Sequence, residues 1–194
     1  MGQNKAFLEA GGGVPMIRRV LDALASACGR VLIVTKTPEV YEHLGVAIVI
    51  DQDPRQAALV GLCAGLRAVA TPHAFAASCD LPFLSPDAVA WLASQAPGFD
   101  AVVPNVEGRW HPLHAVYAAQ AAAVLETQRA AGDWRLTTAI ERLRVRAATA
   151  PELEAVDPGL RTLRNINTPA EYRALMTRDS ARDVTRDVTR KAIV

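Results

Sequence analysis

Ala74-Phe75-Ala76-Ala77-Ser78-Cys79-Asp80-Leu81-Pro82-Phe83-Leu84-Ser85-Pro86-Asp87 is the stretch that decides the fold. Its first six residues form a short continuous run that suits a strand buried on both faces. The strand stops at Asp80, and Pro82 forces a sharp exit two residues later. Ser85 then offers an N-cap, Pro86 the first helical position and Asp87 an acid in the first turn. The helix so started is predicted to run to about Ala96. A buried carboxylate at a strand mouth is costly unless it meets a cation or hydrogen-bond donors. Asp80 therefore has two readings: a ligand for Mg²⁺ held together with substrate phosphates, or a turn or helix-capping aspartate.

The same alternation extends in both directions. Ile17, Val20, Leu21, Leu24 and Cys28 recur at helical spacing after Pro15. Residues 31–34 and 46–50 read as buried strands, the second ending at Asp51, with a short helix from Thr37-Pro38 to Leu44 between them. Residues 59–70 read as a helix in which Gly61 and Gly65 permit close approach. Residues 100–104 and 113–118 read as strands, 119–131 and 137–143 as helices, and 161–166 as extended chain. Thr168-Pro169 starts a last helix, to Thr177. Such an order predicts an α/β fold with a doubly wound, mostly parallel sheet, whose ligands sit at the carboxyl ends of the strands. Asp51 and Asp80 both fall there.

The chain has 194 residues, 51% of them hydrophobic and 21% charged, which suits one domain with its own core. A net charge of +1 opposes nucleic-acid binding by bulk charge. No 18-residue apolar run or signal peptide is present, so no membrane association is expected. Cys28, Cys63 and Cys79 lack metal or disulfide spacing and fit a reducing cytoplasm. Residues 178–194 repeat the pattern Arg-Asp-x-x and read as a solvated, frayed tail on a domain spanning 1–177.

Few residues carry chemistry. Lys5, in a polar opening segment, is either solvated or a point charge for phosphate. Gly11-Gly12-Gly13 has neither phosphate-loop spacing nor GxGxxG spacing and reads as a simple loop. His111 and His114 are three apart across a proline, without a third ligand nearby. That spacing favours packing or turn roles over zinc, although His111 can face the strand-end cleft. Thr168 and Glu171 form a capping box. Asn165 and Asn167 are separated by one residue, and on an extended segment both point to the same side.

Together, Met1-Gly2-Gln3-Asn4-Lys5, Gly13-Val14-Pro15-Met16-Ile17, the 78–84 segment, Trp110-His111-Pro112-Leu113-His114-Ala115-Val116-Tyr117 and Asn165-Ile166-Asn167-Thr168-Pro169-Ala170-Glu171-Tyr172 resemble the molybdenum cofactor guanylyltransferases. That family belongs to the Rossmann-like nucleotidyltransferases. The resemblance implies transfer of GMP from GTP to molybdenum-bearing molybdopterin, with Mg²⁺ as cofactor. It implies that Lys5 and Asp80 are catalytic, with Asp80 holding the metal. Lys5, Asp51, Gly61 and Asp80 would bind GTP, and His111, Asn165 and Asn167 would line the pterin side. Molybdenum-insertion proteins and molybdoenzyme chaperones are the candidate protein partners. Two alternatives stay open: a cytidylyltransferase of the same pathway, and a non-catalytic protein that binds the pterin cofactor.

The sequence departs from the family pattern at three places, the first being the polar residue that often follows the second strand, which is not evident near Val34-Thr35. A Gly-Pro-Leu-Ala-Gly-Leu segment becomes Ala57-Ala58-Leu59-Val60-Gly61-Leu62. The first strand and its glycine-rich loop, which the family carries ahead of the position of Met1, are missing from these 194 residues. A first strand is usually central in a doubly wound sheet. The expectation is therefore a sheet whose neighbouring strands need a gap, a substitute strand or a partner chain.

Overall fold

The computed structural model describes residues 5–9 and 13–165. The order is α1 (Met16–Ala27), β1 (Leu32–Thr35), β2 (Ala47–Ile50), α2 (Ala58–Ala68), β3 (His73–Ala77), α3 (Pro86–Ser94) and β4 (Ala101–Val106). There follow β5 (Arg109–Trp110), β6 (His114–Ala118), α4 (Ala121–Ala130), α5 (Leu136–Arg142), β7 (Val145–Thr149) and α6 (Ala150–Glu154). The predicted α/β alternation is present, and Ser85 caps α3 by accepting from the Ala88 N–H at 3.3 Å.

The strands form two sheets. β1 pairs in parallel with β2. The second sheet has the order β3-β6-β4-β5, with β7 in parallel on β4. β6 runs antiparallel to both β3 and β4, so β3, β4 and β7 share one direction.

Helices α1 and α2 join the two sheets. On one face, Ile17 and Leu21 of α1 pack with Val31 and Ile33, while Val20 packs with Phe75 and Ala77 of β3. On the other face, α2 packs through Leu62 and Leu66 with Ala74 and Ala76. A Cβ at Gly65 of α2 would meet the Val34 side chain at 3.3 Å. Each helix thus leans on β1 and on β3, and the inward edges of these two strands border the same space. No described strand pairs with either edge.

Burial follows this layout. Val102, Val103, Ala115, Val116 and Tyr117, on the fully paired β4 and β6, are at most 2% exposed. Every residue of β1 and β3 is only half-buried, against the two-sided burial expected from their apolar runs.

Other expectations need correction. Residues 161–166 do not begin as extended chain: Arg161–Leu163 form a 3-10 turn entered through Leu160 in left-handed conformation. Residues 38–44 make two 3-10 turns instead of one helix. β7 and the capping-box helix α6 have no counterpart in the sequence reading. On either side of the predicted glycine loop, Glu9 bridges Pro15 and the Met16 N–H donates to the Leu8 carbonyl at 3.0 Å. Residues 10–12, the predicted helix from Thr168 and the repeat at 178–194 lie outside the described residues.

His114 gives the fold a pH dependence. It is buried edge-on against Phe75, and burial, then the neighbouring His111, pushes its pKa down to about 3. A histidine in the unfolded chain titrates near pH ~6.5. Below that value the unfolded chain takes up a proton that the folded chain refuses, so stability falls progressively toward pH 3. The urea midpoint is expected to drop between pH 7 and 4, with a shallower drop in His114→Gln. Equal slopes in the two proteins would remove His114 as the cause.

Candidate active site

A cleft of about 230 Å³ opens at the carboxyl end of β3. Its lining includes Ser78, Asp80, Arg109, Trp110, His111 and Asn165. Three residues predicted from separate parts of the sequence, Asp80, His111 and Asn165, therefore share one cavity.

Local chemistry explains why they meet. In the β3–β6 ladder Ala77 lies opposite His114, and one step further the Ser78 N–H donates to the Leu113 carbonyl at 3.0 Å. Residues 111–114 close a turn in which the His114 N–H donates to the His111 carbonyl at 3.0 Å, with Pro112 at the position that favours its fixed φ. The Tyr117 hydroxyl donates to the Pro112 carbonyl at 2.8 Å, and the His111 N–H donates to the Pro104 carbonyl at 3.0 Å. The turn is thus pinned from both sides, and His111 enters the cleft while His114 goes to the core.

Asp80 is held as an acceptor. The Ser78 hydroxyl donates to Oδ1, and Asn165 Nδ2 approaches Oδ2 at 3.4 Å. Asn165 itself is placed from Thr162, which is fully buried. The Thr162 N–H donates to Asp157 Oδ2 at 2.8 Å, and its hydroxyl accepts from the Ser85 N–H at 3.1 Å. The same hydroxyl lies 3.3 Å from His114 Nε2. The chain leading to Asn165 is consequently tied to both the Asp80 loop and β6. Burial, and then the Arg109 guanidinium, hold the His111 pKa below its ordinary value, so His111 is mostly neutral at pH 7.

Other predicted positions lie elsewhere. Asp51 follows β2, pairs with Lys36 Nζ at 3.2 Å and accepts from the Asp53 N–H at 3.0 Å. Lys36 also donates to the Asp53 carbonyl, and Arg129 pairs with Asp53 at 3.2 Å. These contacts fix the loop after β2, and Asp51 does not line the Asp80 cleft. Gly61 sits inside α2 with open space where a Cβ would stand. Lys5 opens a 3-10 turn, Lys5–Phe7, and its side chain lies outside the described part; Asn167 is also outside it.

Ser78, Arg109 and Trp110 line the cleft without having been singled out from sequence. A signal was available for two of them. Ser78 stands two residues before Asp80, and Arg109 two before His111, which is the spacing of side chains on one side of an extended chain.

Among the described residues no group of three or more His, Cys, Asp or Glu could hold a metal ion. A lone carboxylate suits Mg²⁺, which keeps waters and binds one or two carboxylates beside substrate phosphates; it does not suit zinc in a protein cage.

Residues 1–148 match the family model of the MobA-like NTP transferase domain. The molybdenum cofactor guanylyltransferase of Desulfosudis oleivorans is 34% identical over 171 residues, covering 88% of this chain and 84% of that one. The chain belongs to the molybdenum cofactor guanylyltransferase family. A probable member from Chloroflexus aggregans is 34% identical over 178 residues, 89% of this chain and 85% of its own. Among solved structures, molybdopterin-guanine dinucleotide biosynthesis protein A from Archaeoglobus fulgidus superposes with a TM-score of 0.79 at 25% identity. That match covers 93% of this chain and 92% of the other. A 2-C-methyl-D-erythritol 4-phosphate cytidylyltransferase from Thermus thermophilus, 18% identical with a TM-score of 0.67 over 92% of this chain and 94% of the other, shares the fold. Guanylyltransferase family membership is therefore set by the sequence match, since the fold is common to enzymes with another base.

The Thr162 node supplies a test of positioning. Thr162→Val removes a hydroxyl and leaves the Ser85 N–H without its buried acceptor, which costs about 1–3 kcal/mol. The urea midpoint is expected to fall accordingly while the circular dichroism spectrum is retained. An unchanged midpoint would mean that the hydroxyl does not hold this segment.

Proposed function

We propose that the cleft at Asp80 transfers GMP from GTP to molybdenum-bearing molybdopterin, forming the guanine dinucleotide cofactor and releasing pyrophosphate. The observation that carries this reading is the convergence of Asp80, His111 and Asn165 on one cavity at the carboxyl end of β3. Membership of the guanylyltransferase family favours GTP over CTP and turnover over mere binding.

The chemistry asks for little from the protein beyond placement and charge. A phosphate monoester of the acceptor attacks the α-phosphorus of GTP. One P–O bond forms, the bond to the β-phosphate breaks, and the electron pair leaves with pyrophosphate. The monoester loses its second proton near pH ~6, so it is already nucleophilic at neutral pH. This agrees with a cleft histidine, His111, that is biased toward its neutral form. Mg²⁺, when bound at Asp80, would neutralise phosphate charge. The Ser78 hydroxyl and Asn165 amide keep the Asp80 carboxylate oriented. Lys5 is the proposed cation for the nucleotide phosphates, and Asp51 and Gly61, outside the lining of the Asp80 cleft, are proposed to contact the part of GTP that extends beyond it. His111, Asn165 and Asn167 are proposed for the pterin side.

Equilibrium titration with Mg·GTP tests the reading. Asp80→Ala is expected to abolish detectable binding, and Lys5→Ala to weaken it at least tenfold, with both variants folded by circular dichroism. Unchanged affinity in both would reject the proposal. Binding of molybdopterin by the wild-type protein without GTP turnover would favour the non-catalytic alternative.

Gly61 gives a second, separable result. Gly61→Ala fills open space in a helix and should stabilise the protein by about 0.5–1 kcal/mol. A simultaneous loss of GTP affinity would assign α2 to close nucleotide approach. Unaltered affinity would limit Gly61 to a neutral helix position.

A further inference from the structure

A second cleft, of about 420 Å³, adjoins the first and shares Arg109 and His111 with it. Val106, Leu160 and Leu163 supply its apolar lining, and Arg164 and Glu107 its remaining polar groups. Two guanidinium groups therefore face one carboxylate, and the cleft is net positive. Neither guanidinium makes an ion pair with a described residue. Arg164 donates to the neutral Gly159 carbonyl at 3.2 Å.

The backbone around this cleft is unusual. Glu107 at φ 51° and Leu160 at φ 50° are the non-glycine residues with left-handed backbone among the described residues, and both border this cleft. Glu107 is accounted for by the tight β4–β5 turn that it forms with Gly108, also at positive φ. Leu160 is a bulky side chain in a conformation it rarely adopts, and such positions cluster at ligand sites.

We infer that this second cleft is the acceptor subsite, in which Arg109 and Arg164 clasp the phosphate monoester of a heterocycle whose ring lies against Val106, Leu160 and Leu163. The inference rests on the nucleotidyl-transfer reading and adds to it a division of labour. Asp80 serves the nucleotide side, the arginine pair serves the acceptor side, and Arg109 stands at the junction where the two phosphates must meet. Guanidinium groups suit this role because they bind phosphate oxygens in a bidentate manner and stay charged. The apolar residues give a flat ring a surface on which to lie.

The test uses the wild-type chain and two fluorescent 6-alkylpterins, one with a phosphate monoester and one without, in equilibrium titrations beside Mg·GTP. The wild type is expected to bind the phosphorylated pterin at least tenfold more tightly than the other. Arg109→Ala and Arg164→Ala should each remove most of that preference, and Arg164→Ala, at a position that lines only the second cleft, should leave Mg·GTP affinity within twofold. Turnover assays of Arg164→Ala with molybdopterin should show a raised KM for the acceptor and an unchanged KM for GTP. Equal binding of the two pterins by the wild type would overturn the inference, as would a preference that survives both substitutions. A parallel loss of Mg·GTP affinity in Arg164→Ala would move the second cleft to the nucleotide side and also overturn it. Wild-type protein that prefers the phosphorylated pterin but does not bind Mg·GTP would sink the transferase reading and leave the anion cleft standing.

Discussion

Ala77 lies opposite His114 in the antiparallel ladder of β3 and β6, and the contents of the cleft are positioned from that pairing. It sets the Asp80 loop beside the turn at 111–114. Side chains alternate along each strand, so a slip of one residue would exchange the faces of β3. Phe75 and Ala77 would then trade places with Ala74 and Ala76, which pack on opposite helical layers. The buried faces hold the register, and the register holds Ser78 and Asp80 beside His111. The geometry of the cleft here is a by-product of core packing.

The other side of the cleft depends on a single residue. Thr162 joins Asp157, Ser85 and His114, which belong to three different parts of the chain. Two of these partners have roles in the fold itself, as the cap of α3 and a core residue of β6. The segment carrying Asn165 is thus attached to parts that do not move independently of Asp80. A site built in this way needs no long loop to close over it before its polar groups are aligned.

Much of this arrangement was legible in the sequence. The apolar runs located β1 to β4 and β6 because buried strands are short and continuous. The Ser85-Pro86-Asp87 signal gave the start of α3 from capping chemistry alone. β7 escaped because Val145-Arg146-Ala147-Ala148-Thr149 is weakly apolar and continues an Ala-rich, helix-like stretch; only its parallel pairing with β4 makes it a strand. The 3-10 turn at Arg161–Leu163 escaped because it depends on Leu160 adopting a left-handed backbone, which leucine does not announce. Asp80, His111 and Asn165 were identified from local spacing and family resemblance. Arg109 and the Lys36 contact with Asp51 were missed, because each acquires its meaning from a neighbour that only folding supplies.

The division of the sheet has a consequence for cooperativity. The β1–β2 pair is coupled to the larger sheet through side-chain packing by α1 and α2, and no ladder of backbone hydrogen bonds among the described residues crosses between them. Packing without a shared ladder allows sub-global opening, in which one part of a protein exchanges its amide hydrogens at lower free energy than the whole. The β1–β2 unit is joined to the rest in this way, with the Asp53–Arg129 ion pair as a further tie from the loop after β2 to α4. The Asp80 cleft belongs to the larger sheet. The two predicted acidic positions, Asp51 and Asp80, thus sit on opposite sides of a mechanical seam that α1 and α2 hold together.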